Sequence, residues 1–246
     1  MIVTLNVAFI LLFTSFSSVH AASDFITTEL RVDQSSVNQA RDYTLTIWVG
    51  GIPTTGSSSD FTAAWISVNL ADGGTDGRKF TQVGFLTSKA GVRWFVYSGA
   101  GVQCFQGVPA WGSLGCVGNY GDRATIGHWQ KVELVTYGQG FWIARVYDQN
   151  GNALDVAKIL YSSLTIYRAT AVTEEAYPEA TDPYILALFW HNHPKYMVWG
   201  TGFQDWPASS GGQNNRLFTS PSSICPNHYI ARLNWFGNDP RIWYAG

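Results

Sequence analysis

Gln82 is the residue whose type and position most invite chemistry. It stands in Phe80-Thr81-Gln82-Val83-Gly84-Phe85, where one polar amide interrupts a strand-like apolar run two residues before a glycine. Side chains alternate faces along a strand, so Phe80, Gln82 and Gly84 share one face while Thr81, Val83 and Phe85 share the other. An amide between large apolar neighbours, with a missing side chain beside it, is suited to lining a groove where something binds. The competing account is a glutamine on a solvated face followed by a glycine at a bulge.

Two other constellations carry chemistry. Trp190-His191-Asn192-His193-Pro194 places two imidazoles two residues apart, which on a strand would put both on one face, with Asp205 or His228 as a third metal ligand. Asn192 and Pro194 read instead as a turn, and no third ligand falls at a diagnostic spacing, so no metal and no cofactor are expected. Cys104 and Cys116 bracket a stretch containing Gly107, Pro109, Gly112 and Gly115, which predicts a local disulfide. Closing so short a loop contributes on the order of 3 kcal/mol, chiefly by restricting the unfolded chain. Cys225 is then left as a buried thiol, since nothing around it supplies the signature of a thiol enzyme. The sequence has no Gly-x-Ser-x-Gly elbow, no His-Glu-x-x-His pair and no phosphate loop.

The elements that must position these residues read almost entirely as strands. Tyr43 to Val49, Phe61 to Asn69, Phe80 to Thr87 and Val92 to Ser98 alternate apolar with polar side chains between Gly, Asp, Ser or Lys turns. Further strands are expected at Trp129 to Tyr137, Phe141 to Asp148, Val156 to Tyr161, Leu164 to Val172, Tyr184 to Trp190, Tyr196 to Trp199 and Tyr229 to Trp235. Asn150-Gly151 is a hairpin signal, and no stretch of ten or more residues has helical periodicity. Gly50 to Asp60 and Gly200 to Ser223 read as loops. Many short strands with turns every ~8 to 12 residues predict an all-β antiparallel sandwich or barrel.

Composition narrows the setting. Residues 1–21 resemble an export signal, with the apolar run Val7 to Phe13 and the small-residue site Val19-His20-Ala21, although no Lys or Arg precedes the run. The remainder, residues 22–246, is expected to form a single β-sandwich domain of a secreted, extracellular protein, with no membrane partner once the signal is removed. Charged residues make up 13% of the chain and aromatics 15%, so Ser, Thr, Asn, Gln, Gly and some rings must cover the surface. With a net charge of −2 and no basic stripe, nucleic acid is not an expected partner.

The order of motifs resembles a family. Ala64-Trp65-Ile66-Ser67-Val68 is similar to the tryptophan strand of glutamic-peptidase-like proteins, the eqolisins and more distantly the neprosin group. Gln82-Val83-Gly84-Phe85 is similar to their Gln/Glu-small-Gly-aromatic strand, and the aromatic strand Arg93-Trp94-Phe95-Val96-Tyr97 follows. Ala171-Val172-Thr173-Glu174-Glu175 falls where those families place a second catalytic carboxylate. The resemblance covers residues 61–178 and departs from the pattern after the Glu pair, where Ala176-Tyr177-Pro178 leads into a turn with a second proline at Pro183. Thr28-Glu29-Leu30-Arg31 is faintly similar to a motif of alginate lyases, whose partner motifs are missing.

The resemblance implies a concanavalin-like jelly roll of two antiparallel sheets. Its concave face would carry a Gln/Glu dyad, Gln82 with Glu174 or Glu175, that hydrolyses peptide bonds. Glu174 is favoured because the small Thr173 precedes it. A solvated strand end is the alternative for the pair. Trp65, Trp94, Tyr97 and Trp142 are the expected substrate-binding rings, with Trp199 as a further exposed one, and the expected partner is an extracellular polypeptide or a glycan. The rival to hydrolysis is a lectin-like or peptide-binding module of the same shape, since aromatic faces serve sugars and peptides alike.

Overall fold

A computed structural model describes residues 24–33, 40–52, 61–70, 80–138, 140–160, 166–177, 189–191, 194–198, 200–205, 213–220, 230–236 and 239–245. Among them the regular elements are all strands: β1 (Asp24–Asp33), β2 (Ala40–Val49), β3 (Phe61–Leu70), β4 (Phe80–Ser88), β5 (Gly91–Ser98), β6 (Val102–Cys104), β7 (Val108–Ala110), β8 (Gly115–Val117) and β9 (His128–Val135). After these come β10 (Trp142–Tyr147), β11 (Ala153–Ile159), β12 (Ile166–Tyr177), β13 (Phe189–His191), β14 (Lys195–Val198), β15 (Gln204–Asp205), β16 (Gln213–Ser220), β17 (Ile230–Phe236) and β18 (Asp239–Ala245).

The first sheet runs β16-β1-β12-β3-β4-β5-β8-β7 and the second β15-β14-β2-β9-β10-β11-β6, with β13 also on β2 and β17-β18 as a separate hairpin. The pairings are antiparallel throughout. The all-β, two-sheet antiparallel expectation therefore describes the chain.

Alternation sorts each strand between the core and an outer face. From the first sheet, Ala64, Ile66, Val68, Val83, Phe85, Trp94, Val96, Ala169 and Ala171 enter the core that the sheets share. Tyr43, Leu45, Ile47, Val132, Leu134, Trp142, Ala144 and Val146 enter it from the second. Trp94 and Trp142 are fully buried there. The Trp94 indole fits only because Gly118 lacks a side chain, since a Cβ at that position would collide with the ring. Its Nε1 donates to Asp122 Oδ2 at 3.4 Å.

The predicted disulfide joins Cys104 of β6 to Cys116 of β8, with 5.8 Å between their Cα atoms. It therefore ties the edge of the second sheet to the first. A bulge between Ala144 and Arg145 in the β10-β11 pair leaves Val156 outside the ladder, and its carbonyl accepts from the amides of Phe105 and Gln106. The disulfide loop is thus held at both of its ends' strands. Residues 1–21, Trp199, His193, Cys225 and His228 lie outside the described residues.

Candidate active site on the Gln82 face

Gln82 faces away from the inter-sheet core. The register of the first sheet lines up Arg31, Thr170, Ser67, Gln82 and Tyr97 in one row, and Glu29, Val172, Trp65, Gly84 and Phe95 in the next. Opposed residues in antiparallel strands share a face, so these rows form the outer face of the sheet. Ala63, Trp65, Leu86, Phe95, Tyr97 and Val117 make a second apolar cluster there, with Phe80, Ala110, Trp111 and Leu114 packed against it.

The rings are arranged around the amide. Phe80 stacks on Tyr97 with centroids 5.3 Å apart, Trp65 meets Phe95 edge-on at 6.1 Å, and Trp111 meets Phe95 and Tyr97 at 6.4 and 5.8 Å. Trp111 holds a left-handed backbone at φ 52°, a conformation that a bulky residue adopts only under constraint from its surroundings. The glycine after Gln82 has a steric purpose: a Cβ at Gly84 would collide with the Ala64 carbonyl and with Trp65 Cβ. Its absence lets β3 and β4 approach closely where Trp65 stands opposite Gly84. Burial raises the pKa of the Tyr97 phenol, which keeps it neutral and able to donate.

Two polar atoms in this apolar setting are unspent. Gln82 is 2% exposed and Trp65 1%. Among the described residues neither Gln82 Oε1 nor Trp65 Nε1 has a hydrogen-bond partner. Leaving such a group buried and unpaired costs about 1–3 kcal/mol, so an acceptor and a donor on neighbouring positions are a chemical feature of the face. Arg93 Nε is likewise buried without a partner, while its guanidinium lies 4.8 Å above the Tyr120 ring.

The carboxylate candidates divide by register. Position 174 is paired with Ala63 and through it with Leu86 and Arg93, all in outer-face rows, whereas position 175 is paired with Thr62 in the rows of the core face. Glu174 thus shares a face with Gln82, two strands away and four residues along. Ordinary strand geometry makes that separation about 16 Å between backbone positions.

Of the expected substrate-binding rings, Trp65 and Tyr97 lie on the Gln82 face and Trp94 and Trp142 do not. Trp94 and Tyr97 are three apart on one strand, so alternation sends them to opposite faces. Trp142 packs in the core 5.9 Å from Tyr43. None of the four is an exposed ring: Trp94 and Trp142 are buried in the core between the sheets, and Trp65 and Tyr97 are buried on the Gln82 face. Phe95 and Trp111 are the rings that sequence reasoning missed. Phe95 could have been found from its parity with Tyr97; Trp111 sits in a turn segment whose fold over the face has no local signature.

The outer face of the second sheet holds a charged counterpart. Glu133 accepts from Arg145 Nη1 at 3.0 Å and from the Tyr147 hydroxyl at 2.6 Å, and Arg145 also binds Asp155 at 2.6 Å and the Tyr137 hydroxyl at 2.9 Å. Asp42 is buried beside Glu133. A shallow cleft of about 290 Å³ adjoins them, walled by Trp129, Lys131, Tyr147 and Gln149 among others. Among the described residues no three His, Cys, Asp or Glu side chains gather as a metal site, and Asp205 is ion-paired with Lys195.

No family model matches the chain, and no curated protein matches it. Among solved structures it is similar to SCP-B, a member of the eqolisin family of peptidases in complex with the tripeptide Ala-Ile-His, at 11% identity over 91% of this chain and 98% of that one, with a TM-score of 0.49. It is also similar to scytalido-glutamic peptidase with a peptide-based transition state analog, at 11% identity, the same coverage and a TM-score of 0.49, and more remotely to alginate lyase vAL-1 from Chlorella virus, at 10% identity over 61% of this chain and 83% of that one, with a TM-score of 0.23.

Proposed function

We propose that the chain hydrolyses peptide bonds on the Gln82 face. Gln82 Nε2 donates to the oxyanion that develops on the scissile carbonyl, while Glu174 takes a proton from the attacking water and returns it to the leaving amine. The observation that carries this reading is the Gln82 carboxamide, neutral at every working pH, 2% exposed, ringed by aromatic side chains and without a partner for Oε1 among the described residues. A glutamine whose purpose was packing or solubility would be paired or solvated. The register supports Glu174 over Glu175, because only position 174 falls in an outer-face row.

A second reading is favoured by one observation, the separation of the Gln82 and Glu174 rows. Over about 16 Å the two side chains meet at one bond only across an intervening carbonyl and water. A face that holds an extended polypeptide, or a glycan, without cleaving it needs no such convergence. The proposed setting is extracellular, in keeping with the Cys104–Cys116 disulfide and the apolar run near residue 10. No helix among the described residues is long and apolar enough to cross a membrane. The net charge of −2 supports a partner other than nucleic acid.

The test is to incubate the protein with a denatured polypeptide across acidic and neutral pH and to follow new amino termini. Hydrolysis is expected below about pH 5, where a carboxylate acts as base and its acid form returns the proton. It should survive pepstatin, because no aspartate pair is involved. Absence of cleavage at every pH, with retention of a peptide or glycan, would replace the first reading by the second.

A further inference from the structure

We infer that Trp65 and Gln82 together read one residue of a bound polypeptide, Trp65 Nε1–H donating to its main-chain carbonyl and Gln82 Oε1 accepting from its main-chain N–H. The inference rests on the reading of the Gln82 face as a polypeptide site. It assigns Trp65 a positioning role beyond that of an aromatic wall.

Geometry carries it. Trp65 lies opposite Gly84, and Gln82 is the preceding residue on that face of β4, so the two are diagonal cross-strand neighbours. Trp65 is held edge-on by Phe95, and Gln82 lies directly opposite Tyr97, itself held by Phe80 and Trp111. Both side chains are more than nine-tenths buried, yet one keeps a donor and the other an acceptor without a partner among the described residues. An extended residue presents its own N–H and C=O to the same side, the pair that antiparallel strands exchange. A ligand in that conformation satisfies both unspent atoms at once. The contact also has a consequence for catalysis. With Oε1 engaged by the ligand's N–H, the carboxamide cannot turn over, and Nε2 stays directed at the neighbouring carbonyl.

The full chain carrying Glu174→Gln is screened against a library of acetylated, amidated octapeptides. The strongest binder is then remade as a series in which each backbone amide in turn becomes an ester. One ester is expected to weaken binding about tenfold, the remainder little, and Trp65→Phe, which removes the donor together with part of the ring, to weaken the parent peptide about tenfold or more. The indole N–H proton resonance of Trp65 should shift on addition of the peptide. A flat ester series together with an unmoved indole resonance overturns the inference even where Trp65→Phe fails to fold, because both are read on the intact tryptophan. If the wild-type chain still cleaves peptides, that result leaves the hydrolytic reading standing. Failure of every octapeptide to bind, with retention of a glycan, overturns both.

Discussion

Asp42 and Glu133 bring two buried carboxyl groups together on the outer face of the second sheet, where Asp42 Oδ1 has no hydrogen-bond partner among the described residues. They sit diagonally across the β2-β9 pair, where Asp42 is opposite Val135 and Thr44 is opposite Glu133. They are 4% and 3% exposed. Glu133 is already committed to Arg145 and Tyr147, so a proton on Asp42 is what lets the two coexist. Burial first, then the charge of Glu133, push the Asp42 carboxyl up to about 8, with Lys131 and Arg145 pulling the other way.

This pair predicts a stability that favours acid. The unfolded chain releases the Asp42 proton near 3.8, and the folded one holds it to about 8. The contribution is therefore fully present below about pH 4 and is lost as pH rises through about 8. Thermal unfolding should show a midpoint lower at pH 8 than at pH 5, by on the order of 10 °C. Asp42→Asn has no titrating proton, so it should flatten the profile and raise the midpoint at pH 8. An unchanged profile in that variant would remove Asp42 as its cause.

Trp94 gives a test of the core assignment. Gly118→Ala drives a methyl group into the buried indole, and the expected loss is about 1–3 kcal/mol, read from urea unfolding. Trp142→Ala should cost about 3–5 kcal/mol by opening a cavity in the core. Wild-type stability in both, with weakened ligand binding, would return these residues to the surface role first expected of them.

The disulfide ties the edge of one sheet to the other. Replacing Cys104 and Cys116 together by Ala should lower stability by about 3 kcal/mol, measured by denaturant unfolding, without loss of the β signature in circular dichroism. Recovery of Cys225 linked to either residue in unreduced peptide maps would contradict the pairing.

Much of this architecture was legible in the strand alternation. Period-two patterning in Tyr43 to Val49 and Phe80 to Thr87 announces strands buried on one face, and the turn-rich segment between Cys104 and Cys116 announces their bridge. The face to which a ring belongs was not legible wherever both faces are apolar. On β5, Trp94 and Phe95 have equal claims by composition, and only the partner sheet decides between them. The Asp42–Glu133 pair was invisible because the residues lie far apart in the chain and meet through the β2-β9 register. Gln82 stood out for the opposite reason, as a local contradiction between an amide and its apolar strand that the fold leaves unresolved.

The proposed dyad, in which Gln82 stabilises a transition state on this face with Glu174 as its carboxylate partner, is read in the rate at which new amino termini are released from a denatured polypeptide near pH 4. Gln82→Ala and Glu174→Gln should each lower that rate on the order of a hundredfold or more while leaving circular dichroism and the unfolding midpoint close to wild type, and Glu175→Gln should leave the rate nearly unchanged. Wild-type rates in the Gln82 and Glu174 variants, or no release by the wild-type protein itself, would rule out the dyad.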